Sequence, residues 1–263
     1  MTQPSASTCH DATIRDQFTR QAAMFAAAPE LHNDAIHMLM IEAAQPCSSD
    51  RLLDIACGPG TVVAAFAPHV AAAVGVDATP AMLEQARALE AEKGLRNVTW
   101  QASSAYALPF TDGDFDIVTN RFAFHHLQDI VAAFAEMLRV AAPAARVMVC
   151  DGIAADDDAK AAAFNAMERW RDPSTVEFRR LHELRALFNH PTLGAVSETL
   201  FRVPYRAADL VAASFPADDN RAALLASIDA GIDDDRLGMH GRREADGVVI
   251  AYSAVVLCAV KHA

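Results

Sequence analysis

At 263 residues the chain has room for one or two domains at ~150 residues each, and its 52% hydrophobic content supports a sizeable core and excludes global disorder. Lysine and arginine number 22 against 34 acids, a net charge of −12, so the basic surface that duplex binding demands is missing and no nucleic-acid partner is expected. The longest apolar stretch, Gly247–Val260, has 14 residues and is interrupted by Tyr252 and Ser253, short of the ~18 of a membrane span.

In chain order, residues 13–45 read as helix, broken near Pro29. Arg51–Ile55 is a short apolar strand running into a glycine turn, and Thr61–Ala67 follows as helix. Ala73–Val76 is a second strand closed by Asp77. Pro80–Lys93 is a helix with proline in its first turn, Thr79 as N-cap and Gly94 just past its end. Asn97–Gln101 and Asp114–Thr119 are strands, Gln128–Val140 a helix and Ala145–Asp151 a fifth strand. Short apolar strands alternating with helices imply a parallel sheet covered on both faces.

Beyond Asp151 the pattern loosens. Asp157–Trp170 and Phe178–Asn189 read as helices, and Val196–Val203 and Val248–Val260 as strands. Between those strands, Pro204–Gly247 reads as an insertion carrying helices at Ala207–Phe215 and Asn220–Ala230. The whole is expected to be one α/β domain over 1–263: N-terminal helices at 13–45, a ligand-binding core at 50–151, and a remainder at 152–263. The insertion near 204–247 and the N-terminal helices are expected to form a cap that excludes water.

The five cysteines are scattered without a C-x-x-C pair, so neither a disulfide framework nor a metal cluster is expected. Residues 1–16 are polar and lack a signal-peptide core. A reducing, cytoplasmic setting is the expectation. A homodimer is compatible with all of this.

The most informative stretch is Leu52-Leu53-Asp54-Ile55-Ala56-Cys57-Gly58-Pro59-Gly60-Thr61. A strand feeds a glycine turn and then a helix, the place where doubly wound sheets bind ligands. Gly58 and Gly60 allow positive φ and close approach, and the following helix aims N–H groups at the ligand. Asp77 lies 19 residues beyond Gly58 at the end of the second strand, the position of an acid that accepts both hydroxyls of a ribose. Together they imply an adenosine-containing ligand. A dinucleotide fingerprint would need a small third residue where Val63 stands. Asp54 would also repel a pyrophosphate but attract the amino group of a methionine moiety. S-adenosylmethionine is therefore favoured over NAD.

With Val74–Asp77 and Phe115–Val118, this stretch resembles the class I S-adenosylmethionine-dependent methyltransferases. Leu108–Asp116 and Arg121-Phe122-Ala123-Phe124-His125-His126-Leu127 resemble their small-molecule "type 11" and ubiquinone/menaquinone-biosynthesis branch. The likeness covers roughly 13–151. Further on it rests mainly on Arg171-Asp172-Pro173-Ser174 and the final apolar strand.

The resemblance implies a Rossmann-like, seven-stranded, mostly parallel sheet. It also implies transfer of the methyl group of S-adenosyl-L-methionine to a small-molecule acceptor, leaving S-adenosyl-L-homocysteine, with no metal. Asp54, Ala56, Cys57, Gly58 and Gly60 would hold the methionine part. Asp77 would hold the ribose, Ala78 and Met82 would line the adenine, and Ser104 and Ala105 would meet its edge. Asn120, Arg121 and Phe122 would lie near the transferring methyl, and Phe18, Gln21 and Phe25 would close over it. Ala56, Ser104 and Phe25 depart from the glycine, aspartate and tyrosine common in the family.

In-line displacement needs alignment and a dry site, with a base where the acceptor is an acidic hydroxyl or amine. His125 and His126 are the candidate bases and Arg121 a candidate for orienting the acceptor. Two other readings remain at this stage: a non-catalytic regulator that binds the same cofactor, and an NAD-type dehydrogenase.

Overall fold

The computed structural model describes residues 6–27 and 34–262. Its strands are β1 Arg51–Ile55, β2 Ala72–Asp77, β3 Val98–Ala102, β4 Phe115–Arg121, β5 Ala141–Gly152, β6 Ser197–Arg206, β7 Arg242–Glu244 and β8 Gly247–Val260. Its helices are α1 Ala6–Ala27, α2 Asp34–Ala44, α3 Thr61–Phe66, α4 Pro80–Lys93, α5 Ile130–Val140, α6 Asp158–Arg171, α7 Leu181–Phe188, α8 Ala207–Ala212 and α9 Arg221–Ala230. Pro29, where the sequence breaks the first helical stretch, lies outside the described residues.

The sheet runs β3-β2-β1-β4-β5-β8-β6, with the short β7 paired to β8 at its far end. Strands β1 to β5 are parallel, and β8 is antiparallel to both β5 and β6. This is the Rossmann-like, mostly parallel architecture expected, with seven strands along the main path and β7 as an addition. The strand order reverses between β1 and β4, which opens a crevice at their carboxyl ends.

Alternate residues of each strand go to opposite faces. Leu53, Ile55 and Val118 pack with Phe134 and Met137 of α5 and Leu184 of α7. Leu52 and Ile117 pack with Ile36 and Met40 of α2, Val62 and Phe66 of α3 and Leu83 of α4. With both faces covered, a strand must be apolar throughout. That explains β8: it is flanked by β5 and β6, and Ile250, Ala254, Val255 and Leu257 are fully buried.

Several element limits differ from the sequence reading, and two of the shifts, with one cap, have a plain local reason. The helix expected from Phe178 starts at Leu181, because the Asn165 side chain takes both the N–H and the carbonyl of Phe178. The helix expected from Gln128 starts at Ile130, where Asp129 caps it by accepting from the N–H of Ala132. Thr79 occupies the N-cap position of α4 but makes no side-chain cap bond. Its own N–H is instead held by Asp77 Oδ1.

The insertion begins after Arg206. Its Val211, Leu224, Ile228 and Leu237 pack with Phe164 and Met167 of α6 and Tyr252 of β8. It touches α1 where Gln17 Nε2 donates to the carbonyl of Phe215.

The two loop glycines differ sharply. Gly58 has φ +52° and open space where a Cβ would be. Gly60 has φ +83°, and a Cβ there would come within 2.4 Å of the Trp100 ring and 3.0 Å of Ala86. Gly60 is therefore a packing requirement of the α3–α4–β3 contact, not an opening for ligand. Gly60→Val is expected to lower unfolding stability by roughly 2–5 kcal/mol, from overpacking and left-handed strain. Urea denaturation checks this, and unchanged stability contradicts the assignment.

Candidate active site

A cavity of about 350 Å³ opens at the carboxyl ends of β1, β2 and β4, within the size range of small-molecule sites. Of the residues singled out in the sequence, Phe18, Asp54, Ala56, Cys57, Gly58, Asp77, Ala78, Met82, Ser104, Ala105, Arg121, Phe122 and His126 line it. Gly60, Asn120, Gln21 and His125 stand outside its wall. Phe25 falls in α1, but its side chain lies outside the described residues. Ile14, Arg15, Thr61, Tyr106 and Leu127 join the wall without having been anticipated. Ile14 and Arg15 were discoverable: they sit on the same helix, one turn before Phe18. The insertion contributes no wall residue among those described; it braces α1 through the Phe215 carbonyl and meets Arg171 through Ser214.

The backbone at the cavity is bent in an unusual way. Ala56 and Phe122 have φ of +54° and +50°, a region that costs a non-glycine residue roughly 1–2 kcal/mol. Such strain collects at ligand sites.

Two acids dominate the floor. Asp54 is 1% exposed, on β1 beside Thr119 of β4 in the parallel register. The Thr119 hydroxyl donates to its Oδ1 at 2.8 Å. Burial pushes its pKa up to about 7, and Asp77 adds to the rise, against the opposing effects of Thr119 and Arg121. Asp77 is likewise raised by burial. Its two oxygens accept the N–H groups of Gly58 and Thr79, each at 2.8 Å. It thereby ties the glycine turn to the end of β2. The Cys57 thiol is pushed far up by burial and the two acids, and so is not a nucleophile.

Arg121 is buried. Its Nη1 donates to Thr61 Oγ1 at 3.1 Å, and its guanidinium lies 4.9 Å above the Phe122 ring. Asn120 is held inside the sheet by its Nδ2 donating to the Ile55 carbonyl. The Ser104 hydroxyl accepts from the N–H of Tyr106 and shapes the loop after β3.

The two histidines have separate fates. His125 Nδ1 is 2.7 Å from Asp151 Oδ1, and its ring stacks on Phe178 at 4.1 Å. Its carbonyl takes two further N–H groups, from Val176 and Glu177. His125 is thus an anchor between β5 and the segment after α6. His126 lines the cavity, with Phe18 of α1 edge-on at 4.9 Å. Burial and the neighbouring His125 push its pKa well down, so the ring is neutral. Among the described residues, no group of three or more His, Cys, Asp or Glu is placed to hold a metal ion. No helix among them is long and apolar enough to cross a membrane.

A strand–glycine turn–helix with a buried acid before it, a second acid at the next strand end, and a switch-point cavity define a nucleoside-binding α/β protein. Residues 52–144 match the methyltransferase-domain family. An uncharacterised methyltransferase of Bacillus subtilis, YcgJ, is 40% identical over 151 residues, covering 57% of this chain and 60% of the relative. Its crystal structure superposes with a TM-score of 0.78 at 31% identity, covering 86% of this chain and 98% of that one. The ubiquinone/menaquinone biosynthesis C-methyltransferase UbiE of Dinoroseobacter shibae is 34% identical over 146 residues, 52% of this chain and 58% of the relative. These alignments span little more than half the length of the curated relatives. The chain belongs to the class I S-adenosylmethionine-dependent methyltransferase family.

A carboxyl whose folded pKa lies above its unfolded value binds more protons folded than unfolded between the two. For Asp54 that window runs from 3.8 to about 7, so its contribution to stability declines as pH rises through it. In the ligand-free protein Asp54→Asn is therefore expected to match wild type near pH 4 and exceed it at pH 7.5, on the order of 2–4 kcal/mol. Urea denaturation at both pH values checks this, and a gap that does not widen with pH contradicts it.

Proposed function

We propose that this protein is a methyltransferase that binds S-adenosyl-L-methionine in the switch-point cavity and methylates a small-molecule acceptor entering beside His126. The observation that carries the reading is Asp54, a carboxyl held almost without water on the wall of an open cavity, at a pKa that burial and Asp77 raise further than Thr119 and Arg121 lower it. An ammonium group at that point supplies the remaining compensation. The rest of the wall suits the same molecule. Asp77 offers its oxygens to a diol, and Gly58 leaves the backbone approachable. Ala78, Met82 and Ala105 make an apolar slot for a purine ring. A protein of similar fold, phosphoethanolamine N-methyltransferase 2 of Haemonchus contortus (15% identity, TM-score 0.60), was solved in complex with S-adenosylhomocysteine.

The bound sulfonium supplies an already activated methyl group. The chain's own residues do the remaining work. Asp54 and Asp77 fix the donor's ends, while Phe18 and Phe122 give the site apolar walls that exclude water. Arg121, immobilised by Thr61 and Phe122, places a fixed positive charge near the acceptor's polar end. His126, neutral and on the wall, takes the proton that the acceptor loses. His125 has no part in this, since its ring is committed to Asp151.

Calorimetric titration with S-adenosylhomocysteine tests the reading, because that product carries the same amino group and ribose. Asp54 must be ionised to hold the ammonium, so affinity is expected to rise with pH up to about tenfold per unit below pH 7 and flatten above it. Asp77→Ala is expected to cost ~1.5–3 kcal/mol of binding. No binding by wild type, or affinity independent of pH between 5.5 and 7, contradicts the proposal.

A further inference from the structure

We propose that Asp172 and Ser174 form a hydrogen-bond relay that holds His126 with its proton on Nδ1, leaving Nε2 as the nitrogen that accepts a proton from the methyl acceptor. The acceptor is then a hydroxyl, amine or activated C–H that gives up a proton, rather than a group that arrives as an anion. This rests on the methyl-transfer reading above. It gives a role to Arg171-Asp172-Pro173-Ser174, a segment whose part in the site the sequence alone leaves open.

The relay follows from counting donors. Ser174 Oγ lies 2.5 Å from Asp172 Oδ1 and 3.1 Å from His126 Nδ1. A hydroxyl has one hydrogen to give. Burial alone would raise the Asp172 carboxyl. With the His126 ring neutral, what opposes burial is the Arg171 charge and the two bonds from Ser174, all of which favour the ionised form. Asp172 is therefore a carboxylate and accepts only. It takes the Ser174 hydroxyl, the Ser174 N–H at 2.9 Å, and Gln21 Nε2 of α1 at 3.3 Å. With its hydrogen given to Asp172, Ser174 Oγ can only accept from His126. The neutral His126 ring must then carry its hydrogen on Nδ1, and Nε2 is left with the lone pair. Which ring nitrogen holds the proton is set by the bond the other makes.

The surroundings agree with this order. Ser174, Asp172 and His126 are 0%, 3% and 6% exposed, so water does not compete along the chain. The other polar groups around the ring are engaged elsewhere. His125, 4.1 Å away, is bound to Asp151. Arg171 pairs with Glu168, and His10 of α1 meets the His126 carbonyl at 2.9 Å. When a proton moves from the acceptor to Nε2, the acceptor keeps the electron pair. The resulting imidazolium faces the Asp172 carboxylate through Ser174, which lowers the cost of charging a buried ring. Asp172 and Ser174 are thus positioning residues, and His126 is the group that meets the acceptor.

The test is spectroscopic and needs no acceptor. The full chain is labelled with 15N-histidine and read at pH 7.5 by two-bond proton–nitrogen correlation, with His126 assigned through His126→Gln. The expected pattern is a pyrrole-type shift at Nδ1 and a pyridine-type shift at Nε2. Ser174→Ala is expected to lose the predominance of the Nδ1–H form, and Ser174→Thr to restore it. Asp172→Asn, nearly isosteric, turns the chain round by donating to Ser174 and is expected to move the hydrogen to Nε2. A wild-type ring protonated on Nε2, or a tautomer unmoved in both Ser174→Ala and Asp172→Asn, overturns the relay. S-adenosylhomocysteine titration of the same samples separates the two proposals. Failure of wild type to bind it overturns the cofactor reading, while the tautomer reports on the relay alone.

Discussion

An acid buried with only partial compensation of its charge is the constraint around which this molecule is arranged. Asp54 stands on a strand that is covered on both faces, where water cannot reach and where ionisation is costly. The neighbours reduce that cost only in part. Thr119 gives one hydrogen bond, and Arg121 gives a charge whose side chain is itself bonded to Thr61. An arrangement better for stability would place a leucine there, as at Leu52 and Leu53 on the same strand. In the proposed complex the acid is half of a pair whose other half comes from solution. The left-handed backbone at Ala56 and Phe122 tells the same story, since strain persists where the surrounding structure over-determines it.

The parallel core was legible in the sequence because its first strands are short and mainly apolar, alternate with helices, and run into a glycine turn after β1 and end in an acid at β2. β1 and α4 fall on their expected limits. The floor of the site was legible for the same reason, since Asp54, Gly58 and Asp77 are placed by strand ends and not by long-range packing. What could not be read is what depends on side chains meeting from far apart. Nothing local marks Gly60 as the partner of Trp100, forty residues on. The same holds for Asn165, which keeps Phe178 out of a helix. The pair His125–His126 looks equivalent in sequence. It is divided only by Asp151 and Ser174, which approach from two different elements.

The N-terminal helix and the insertion also divide a task that the sequence assigned to both. α1 carries Ile14, Arg15 and Phe18 to the cavity, while the insertion builds its own small core on α6 and β8. The bond from Gln17 to the Phe215 carbonyl joins the two. Gln21, one helical turn further along α1, reaches Asp172 instead. One helix therefore touches the cavity wall, the insertion and the carboxylate behind His126. Movement of α1 cannot open the cavity without also altering the hydrogen bonds around Asp172.

The cavity has two ends of opposite electrostatic character, and burial produces both. At one end it raises an acid until that acid needs a cation; at the other it lowers a histidine until that ring is neutral. The same desolvation acts on each, because it always disfavours the charged form. The difference lies in what stands behind them. Around Asp54 are a hydroxyl, a second acid and the charge of Arg121, which together leave burial only partly answered, and the proposed donor's ammonium group would supply the rest. Behind His126 are Ser174 and the carboxyl of Asp172 beside Arg171, so a charge gained by the ring in the proposed reaction would be answered from within the protein. A donor that arrives positive and an acceptor that departs without its proton are the two partners that such a cavity suits.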